Sequence, residues 1–179
     1  ELNQLYPSLP HDVGEVVMEA RHITCWDPDQ PQRKKVDDVS FQLRRGEILG
    51  IAGIVGAGRT ELVTAIFGSY PGKHTGEVWL EGRQMDTSEP MKSIRNGFAL
   101  VPEDRKHHGI VRDLSVGANI TLSVLGRYAH LTRIDDGEEG REIAQQIARL
   151  ALKTASPALP ITALSGGNQQ KAVLAKMLL

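Results

Sequence analysis

The chain has 179 residues, 40% of them hydrophobic and 24% charged, with a formal net charge of −1. That length suits one domain with a real core plus a small subdomain, and that mixture is the composition of a globular chain. The charge balance excludes broad nucleic-acid binding, which needs a basic field, and the lone cysteine, Cys25, excludes an intrachain disulfide and points to a reducing compartment. No apolar run of about 18 residues is present to span a membrane, so a membrane role would require a partner.

Residues 1–14, with Pro7 and Pro10 among polar neighbours, read as a linker or arm, and the missing initial Met suggests a piece of a longer protein. Residues 15–24 read as a first strand led by Val16, Val17 and Met18. A turn at 27–31 and a loop through 35 precede a half-buried strand over 39–43, where apolar and polar residues alternate. Residues 44–46 turn the chain into Ile48-Leu49-Gly50-Ile51-Ala52, an apolar run that predicts a buried strand. Next comes a glycine-rich loop, Gly53-Ile54-Val55-Gly56-Ala57-Gly58-Arg59-Thr60, and then a helix over 61–67.

After a loop at 70–76, residues 77–80 predict a short strand that turns at Glu81-Gly82. Ser88 reads as the cap of a helix ending at Asn96-Gly97. Residues 98–101 predict a fully apolar strand halted by Pro102, and 103–109 a charged loop in which His107 and His108 read as solvated rather than metal-binding. A helix follows over 116–125. Another, amphipathic, spans 135–153, with Ile143, Ile147 and Leu150 on one face and Asp135 with Glu138 as a capping box. Pro157 and Pro160 break it, and Ser165 reads as the cap of a last helix.

Strand, glycine loop and helix together make the context a phosphate-binding loop needs. The glycines let backbone N–H groups aim into one hollow, the helix N-terminus adds positive potential, and Thr60 supplies an oxygen where Mg²⁺ would bind. The usual G-x-x-x-x-G-K-[ST] pattern has lysine where this chain has Arg59. Lysine is a compact charge that sits over phosphates; arginine is wide and planar and grips from the side. On these residues alone, a strand-to-helix turn without a ligand stays open beside nucleotide binding.

Leu164-Ser165-Gly166-Gly167-Asn168-Gln169-Gln170-Lys171 resembles the LSGGQ signature of ABC-type ATPases. The loop GIVGAGRTEL, the segment VPEDRK at 101–106 and the Asn-Gln-Gln-Lys ending together resemble the second ATPase half of the tandem ATP-binding subunits of bacterial sugar importers. Within that group the D-xylose importers are nearest, from Lys153-Thr154-Ala155-Ser156-Pro157 before the signature.

The resemblance implies an α/β fold: a P-loop ABC ATPase core with an antiparallel β-subdomain over 15–104, a helical subdomain over 105–163, and the signature with its helix over 164–179. ATP and Mg²⁺ are the implied cofactors. Gly53, Ile54, Val55, Gly56, Ala57, Gly58, Arg59, Thr60 and Glu61 would hold nucleotide, with Trp26 either stacking on adenine from a loop or simply packing. Thr60 and Glu103, the latter where a glutamine is usual, would face Mg²⁺. Residues 164–171 would face the nucleotide of the opposite half.

The family's later strand ending in Asp-Glu, and its histidine, would lie past Leu179, so the fragment alone is expected to be inactive in hydrolysis. The implied partners are the other nucleotide-binding half, membrane permease subunits and, indirectly, a periplasmic sugar-binding protein, at the cytoplasmic face of the bacterial inner membrane. With arginine for lysine, this half is expected to bind ATP weakly or without fast turnover and to lend its signature to its partner. A regulatory nucleotide-sensing module and a non-transport ABC ATPase stay open. Self-association through an uncovered face of the last helix, and an open sheet edge, are also expected.

Overall fold

A computed structural model describes residues 12–131 and 133–179. The linker reading for residues 1–14 therefore falls almost wholly outside the described residues. The chain divides into two compact units, the first ending at Phe98 and the second running Ala99–Leu179.

The first unit is a four-stranded antiparallel sheet in the order β2-β1-β3-β4, with one helix against it. The strands are β1 (Val16–Trp26), β2 (Lys34–Arg44), β3 (His74–Leu80) and β4 (Arg83–Met85); the helices are α1 (Arg59–Phe67) and α2 (Pro90–Arg95). Ala20 pairs with Phe41 on one side and Val78 on the other. Inward-facing residues should recur every second position, yet Ala20, Ile23 and Cys25 are all buried. A bulge resolves this. His22 has φ 54° and Asp38 has φ 51°, and the register shifts between Ala20 and Ile23. The bulge is held by Ser40 Oγ accepting from the His22 N–H at 2.8 Å and Thr24 Oγ1 accepting from the Asp38 N–H at 3.0 Å. The extra residue resets the parity of β1.

Leu62, Ala65 and Ile66 of α1 close this core over Ala20, Ile23, Cys25, Val36 and Val78. Burial, with a smaller push from the Glu61 charge, raises the Cys25 thiol to about 11. The thiolate is the nucleophile, so Cys25 is expected to resist iodoacetamide at pH 8 in the folded protein and to be labelled only after urea unfolding. Labelling of the native protein at a free-thiol rate would contradict this packing.

Several local expectations are corrected. Residues 48–52 are not a strand: Ile48 is 95% exposed, and no described strand pairs with the run. The apolar stretch at 98–101 is likewise not a strand, although Phe98 packs on the first core. An apolar run records a preference for burial, but a strand exists only where a neighbouring strand completes its ladder. Residues 34–35 belong to β2 rather than to a loop. Helix α2 begins at Pro90 with Glu89 at its N-cap; Ser88 instead accepts a hydrogen bond from Lys92 Nζ at 3.0 Å.

The second unit is helical. A π-helical turn (Arg105–Gly109) leads to α3 (Val116–Thr121), a 3-10 stretch (Leu122–Arg127), the two-residue strands β5 (Ala129–His130) and β6 (Arg133–Ile134), α4 (Asp136–Arg149), a short 3-10 turn (Ile161–Ala163) and α5 (Gly166–Met177). Val116, Ile120, Leu152, Ile161, Ala172, Val173 and Ala175 are its core. Ile143, Ile147 and Leu150 pack on that core, as the amphipathic pattern predicts. The Asp135 carboxylate caps α4, accepting from Gly137 and Glu138 N–H at 3.0 and 2.9 Å. The box is not reciprocal, because the Asp135 N–H donates to the Tyr128 carbonyl at 2.8 Å.

The charged stretch after Glu103 is an ordered turn rather than an open loop. Asp104 Oδ1 caps it by accepting from Lys106 and His107 N–H, and its other oxygen meets His107 Nδ1 at 2.7 Å. That side-chain hydrogen bond holds the Asp104 carboxyl below the usual carboxylate range. The final helix is covered along Ala172, Val173 and Ala175, and only Leu174 and Leu178 of its apolar residues are exposed. No helix among the described residues is long and apolar enough to cross a membrane.

Candidate functional site

In the first unit the glycine loop runs directly into α1. Gly56 and Gly58 take φ 82° and 84°, the left-handed region where a side chain is strained. A turn closes as the Ala57 N–H donates to the Ile54 carbonyl at 3.1 Å. Gly58 is buried while Arg59 and Thr60 face solvent, and no side chain caps the helix. The first turn of α1 is thus presented outward behind a glycine-rich loop that also exposes Ile54 and Val55, and an open helix start of this kind can receive a phosphate.

Gly58 is pinned by the neighbouring strand: a methyl there would stand 2.3 Å from the Lys35 carbonyl oxygen of β2. Gly53 is pinned within the loop, since a methyl there would meet Ala57 Cβ at 2.9 Å and the Arg59 stem at 3.5 Å. The arginine that stands in place of lysine therefore lays its aliphatic stem along Gly53.

Trp26 is the last residue of β1, not a loop residue as expected. Its backbone is clamped: its N–H donates to the Lys73 carbonyl at 2.9 Å, and its carbonyl accepts from Tyr70 OH at 2.7 Å. The Lys73 ammonium lies 4.7 Å from the ring centroid, a cation–π contact that covers one face of the half-buried indole.

In the second unit Ser165 occupies the N-cap position of α5, but its hydroxyl does not cap the helix. It accepts instead from Asn168 Nδ2 at 3.0 Å. Leu164 anchors the segment in the core. Gln169 Nε2 donates to the carbonyls of Ile161 and Leu164 at 3.3 and 3.2 Å, and Lys171 Nζ to that of Ala151 at 2.7 Å. Near the far end of α5, Lys176 Nζ donates to the Gly109 carbonyl at 2.5 Å, and burial lowers its pKa. Gly166 lies under Arg105, whose Nη2 is 2.7 Å from where a Gly166 methyl would be. Motif reading names VPEDRK without showing that its arginine reaches the signature; no spacing signal spans that distance in sequence.

Glu103 precedes the Asp104-capped turn in the second unit, whereas Thr60 opens α1 in the first. His107 is engaged with Asp104 rather than with a donor cluster. The metal-like set among the described residues is His130, Asp135 and Glu138, all exposed and with donor atoms within 4.8 Å of one another. Asp135 already spends one oxygen on capping α4.

The family model for the ABC transporter matches residues 36–179, which take in the glycine loop and the signature. The chain belongs to the ABC transporter family. It is 70% identical over all 179 residues to the xylose import ATP-binding protein XylG of Pseudomonas fluorescens (strain Pf0-1). It is 68% identical, again over its whole length, to the protein of that name from Pseudomonas syringae pv. syringae (strain B728a). It spans 35% of the length of each.

The fold agrees with solved ABC structures. The cbiO1 protein of Clostridium perfringens, described as part of the ABC transporter complex cbiONQ, superposes with a TM-score of 0.68 at 15% identity, over 92% of this chain and 61% of that one. MJ1267, described as an ATP-binding cassette of an ABC transporter, superposes with a TM-score of 0.70 at 18% identity, over 92% of this chain and 65% of that one. The P-loop α/β class expected from the motifs is the class of these ABC proteins.

Proposed function

We propose that this chain is part of an ATP-hydrolysing subunit that powers import of a monosaccharide, xylose, across the bacterial inner membrane. The observation that carries the reading is the glycine loop opening onto the outward, uncapped start of α1. The 70% identity with a xylose import ATP-binding protein supports the transport context and the sugar.

In this reading residues 53–61 bind the phosphates of ATP, Trp26 stacks on adenine, and the Thr60 hydroxyl supplies an oxygen to Mg²⁺. Residues 164–171 face the nucleotide of a second ATPase half, with the Ser165 hydroxyl and the N-terminus of α5 directed at its terminal phosphate. The subunit works at the cytoplasmic face, bound to permease subunits that receive sugar from a periplasmic binding protein. ATP closes the two halves and hydrolysis reopens them, which biases the permease between its states.

Arg59 gives this half a distinct share of the work. Its stem packs along Gly53, and a planar guanidinium grips phosphate from the side where lysine would sit over it. This half binds ATP without fast turnover and serves chiefly by lending its signature.

In the complete subunit with its membrane partner, Ser165→Ala is expected to lower ATP turnover more than Arg59→Ala. The opposite ranking would overturn the division of labour. Calorimetric titration of Mg-ATP into the chain tests the loop itself: one-to-one binding that is lost in Gly58→Ala supports it. No binding even to the complete domain would mean that Arg59 has disabled this half as a nucleotide site, whereas binding without any turnover in the complete subunit would favour a regulatory nucleotide-sensing module.

A further inference from the structure

We propose that Asn168 is a positioning residue that holds the Ser165 hydroxyl as an outward hydrogen-bond donor. The inference rests on the reading above, in which that hydroxyl meets a phosphate oxygen. A serine at an N-cap ordinarily turns its oxygen back to accept a backbone N–H of the first helical turn. Ser165 has the N-cap position and backbone, with φ −61° and ψ 156°, but makes no such bond. Its Oγ accepts from Asn168 Nδ2 at 3.0 Å.

The direction of that bond is set from the other end of the amide. Asn168 Oδ1 accepts from the Lys153 N–H at 2.9 Å. Turning the amide over would place its NH₂ against the Lys153 N–H, donor against donor, so the nitrogen must face Ser165.

A serine hydroxyl has one proton and two lone pairs. With an amide N–H filling a lone pair on its inner side, the proton points away from Asn168, toward the solvent that Ser165 faces. Donation into the oxygen also polarises the O–H bond and strengthens it as a donor. Asn168 is half-buried, tethered through Lys153 to the segment that follows α4, and so fixes the hydroxyl before any ligand arrives. Pre-set donors of this kind stabilise anionic oxygens without a reorganisation cost at the moment of reaction.

Asn168→Asp inverts the arrangement. One carboxylate oxygen still serves the Lys153 N–H, but the other can only accept, and it draws the hydroxyl proton inward. The test measures Mg-ATP turnover of the complete subunit assembled with its membrane partner, together with the melting temperature of each variant. Ser165→Ala is expected to reduce turnover about 100-fold, the size typical for a lost oxyanion donor. Asn168→Asp should approach that loss while melting like the parent, and Asn168→Ala should cost about three- to tenfold. The double variant S165A/N168D should be no slower than S165A alone.

If S165A is slow but N168D turns over within about twofold of the parent, the role of Asn168 is overturned and the reading of Ser165 stands. If S165A is itself as fast as the parent, the reading falls and the inference with it. If the two losses multiply, the added charge acts on its own and the inference is overturned. Should N168D melt early, N168A decides by the same cycle, since it adds no charge: a loss that disappears in the S165A background supports the hydroxyl mechanism, and one that persists overturns it.

Discussion

Gly58→Ala is expected to destabilise the first unit by about 2–4 kcal/mol and to abolish Mg-ATP binding, whereas Gly56→Ala costs only about 1 kcal/mol. Both glycines sit at left-handed φ, 82° for Gly56 and 84° for Gly58, so both variants carry the same conformational penalty. They differ in what surrounds them. A methyl on Gly56 meets nothing within 4 Å, while one on Gly58 lies 2.3 Å from the Lys35 carbonyl oxygen and 3.1 Å from Val36 Cγ2. Backbone of a strand held in its ladder with β1 does not yield as a flexible side chain would, so the loop must move instead. That movement takes the start of α1 with it, because the Leu62 N–H donates to the Gly58 carbonyl at 2.8 Å. Urea unfolding followed through the fluorescence of Trp26 and Trp79 measures the stability terms, and calorimetry measures the binding loss. Equal destabilisation by the two variants would show that β2 does not constrain the loop.

Asn119→Asp is expected to cost about 3–5 kcal/mol at pH 7, more than Asn119→Ala at about 2–4 kcal/mol. Asn119 is 2% exposed and stitches together the chain ahead of α3. Its Oδ1 accepts from the Val111 N–H at 2.8 Å. Its Nδ2 lies against the carbonyls of Val111, Leu114 and Ser115 at 3.0, 3.3 and 2.9 Å. Alanine strips the buried Val111 N–H of its acceptor and takes the side-chain donor from three carbonyls, each of which keeps a backbone N–H. Aspartate does worse, since it sets a buried negative charge against carbonyl oxygens.

The pH dependence distinguishes the two variants. Burial and the facing carbonyls raise the pKa of the introduced carboxyl in the folded state above its unfolded value near 4. The penalty is therefore absent below that unfolded pKa and grows as pH rises toward the folded one, so Asn119→Asp should regain stability on acidification and Asn119→Ala should not. Far-UV circular dichroism in urea at pH 7 and pH 4.5 follows this helical unit. A pH-independent deficit in Asn119→Asp would mean that the carboxyl reaches water.

The motifs were legible because each is local. A glycine loop before a helix and a serine-glycine-glycine segment before another require only neighbours in sequence, and both stand where they were expected, at the starts of α1 and α5. The amphipathic face of α4 was legible for the same reason: Ile143, Ile147 and Leu150 share a side by helical period alone. Residues 48–52 show where this kind of reading stops. Their apolar character is a demand for burial that no local pattern can satisfy, and without a paired strand they adopt no ladder.

The bulge at His22 is a second case. Sequence alternation reads straight through it, because the resetting bonds come from Ser40 and Thr24, across the sheet and along it. Trp26 is a third: one face of its indole is covered by Lys73, which lies on the far side of α1 in sequence.

By itself the sequence determined the family, the P-loop class, the helices that carry the two motifs and the substitution of Arg59 for lysine, since all of these reside in short runs whose chemistry travels with them. Only the tertiary structure decided what those residues can do. It put the Lys35 carbonyl behind Gly58, Arg105 over Gly166, and Lys153 at the back of Asn168, so that a serine expected to cap its own helix presents its hydroxyl outward. The physical reason is that the direction of a hydrogen bond belongs to a pair of groups, and the pairs that matter here are brought together by packing between segments remote in the chain.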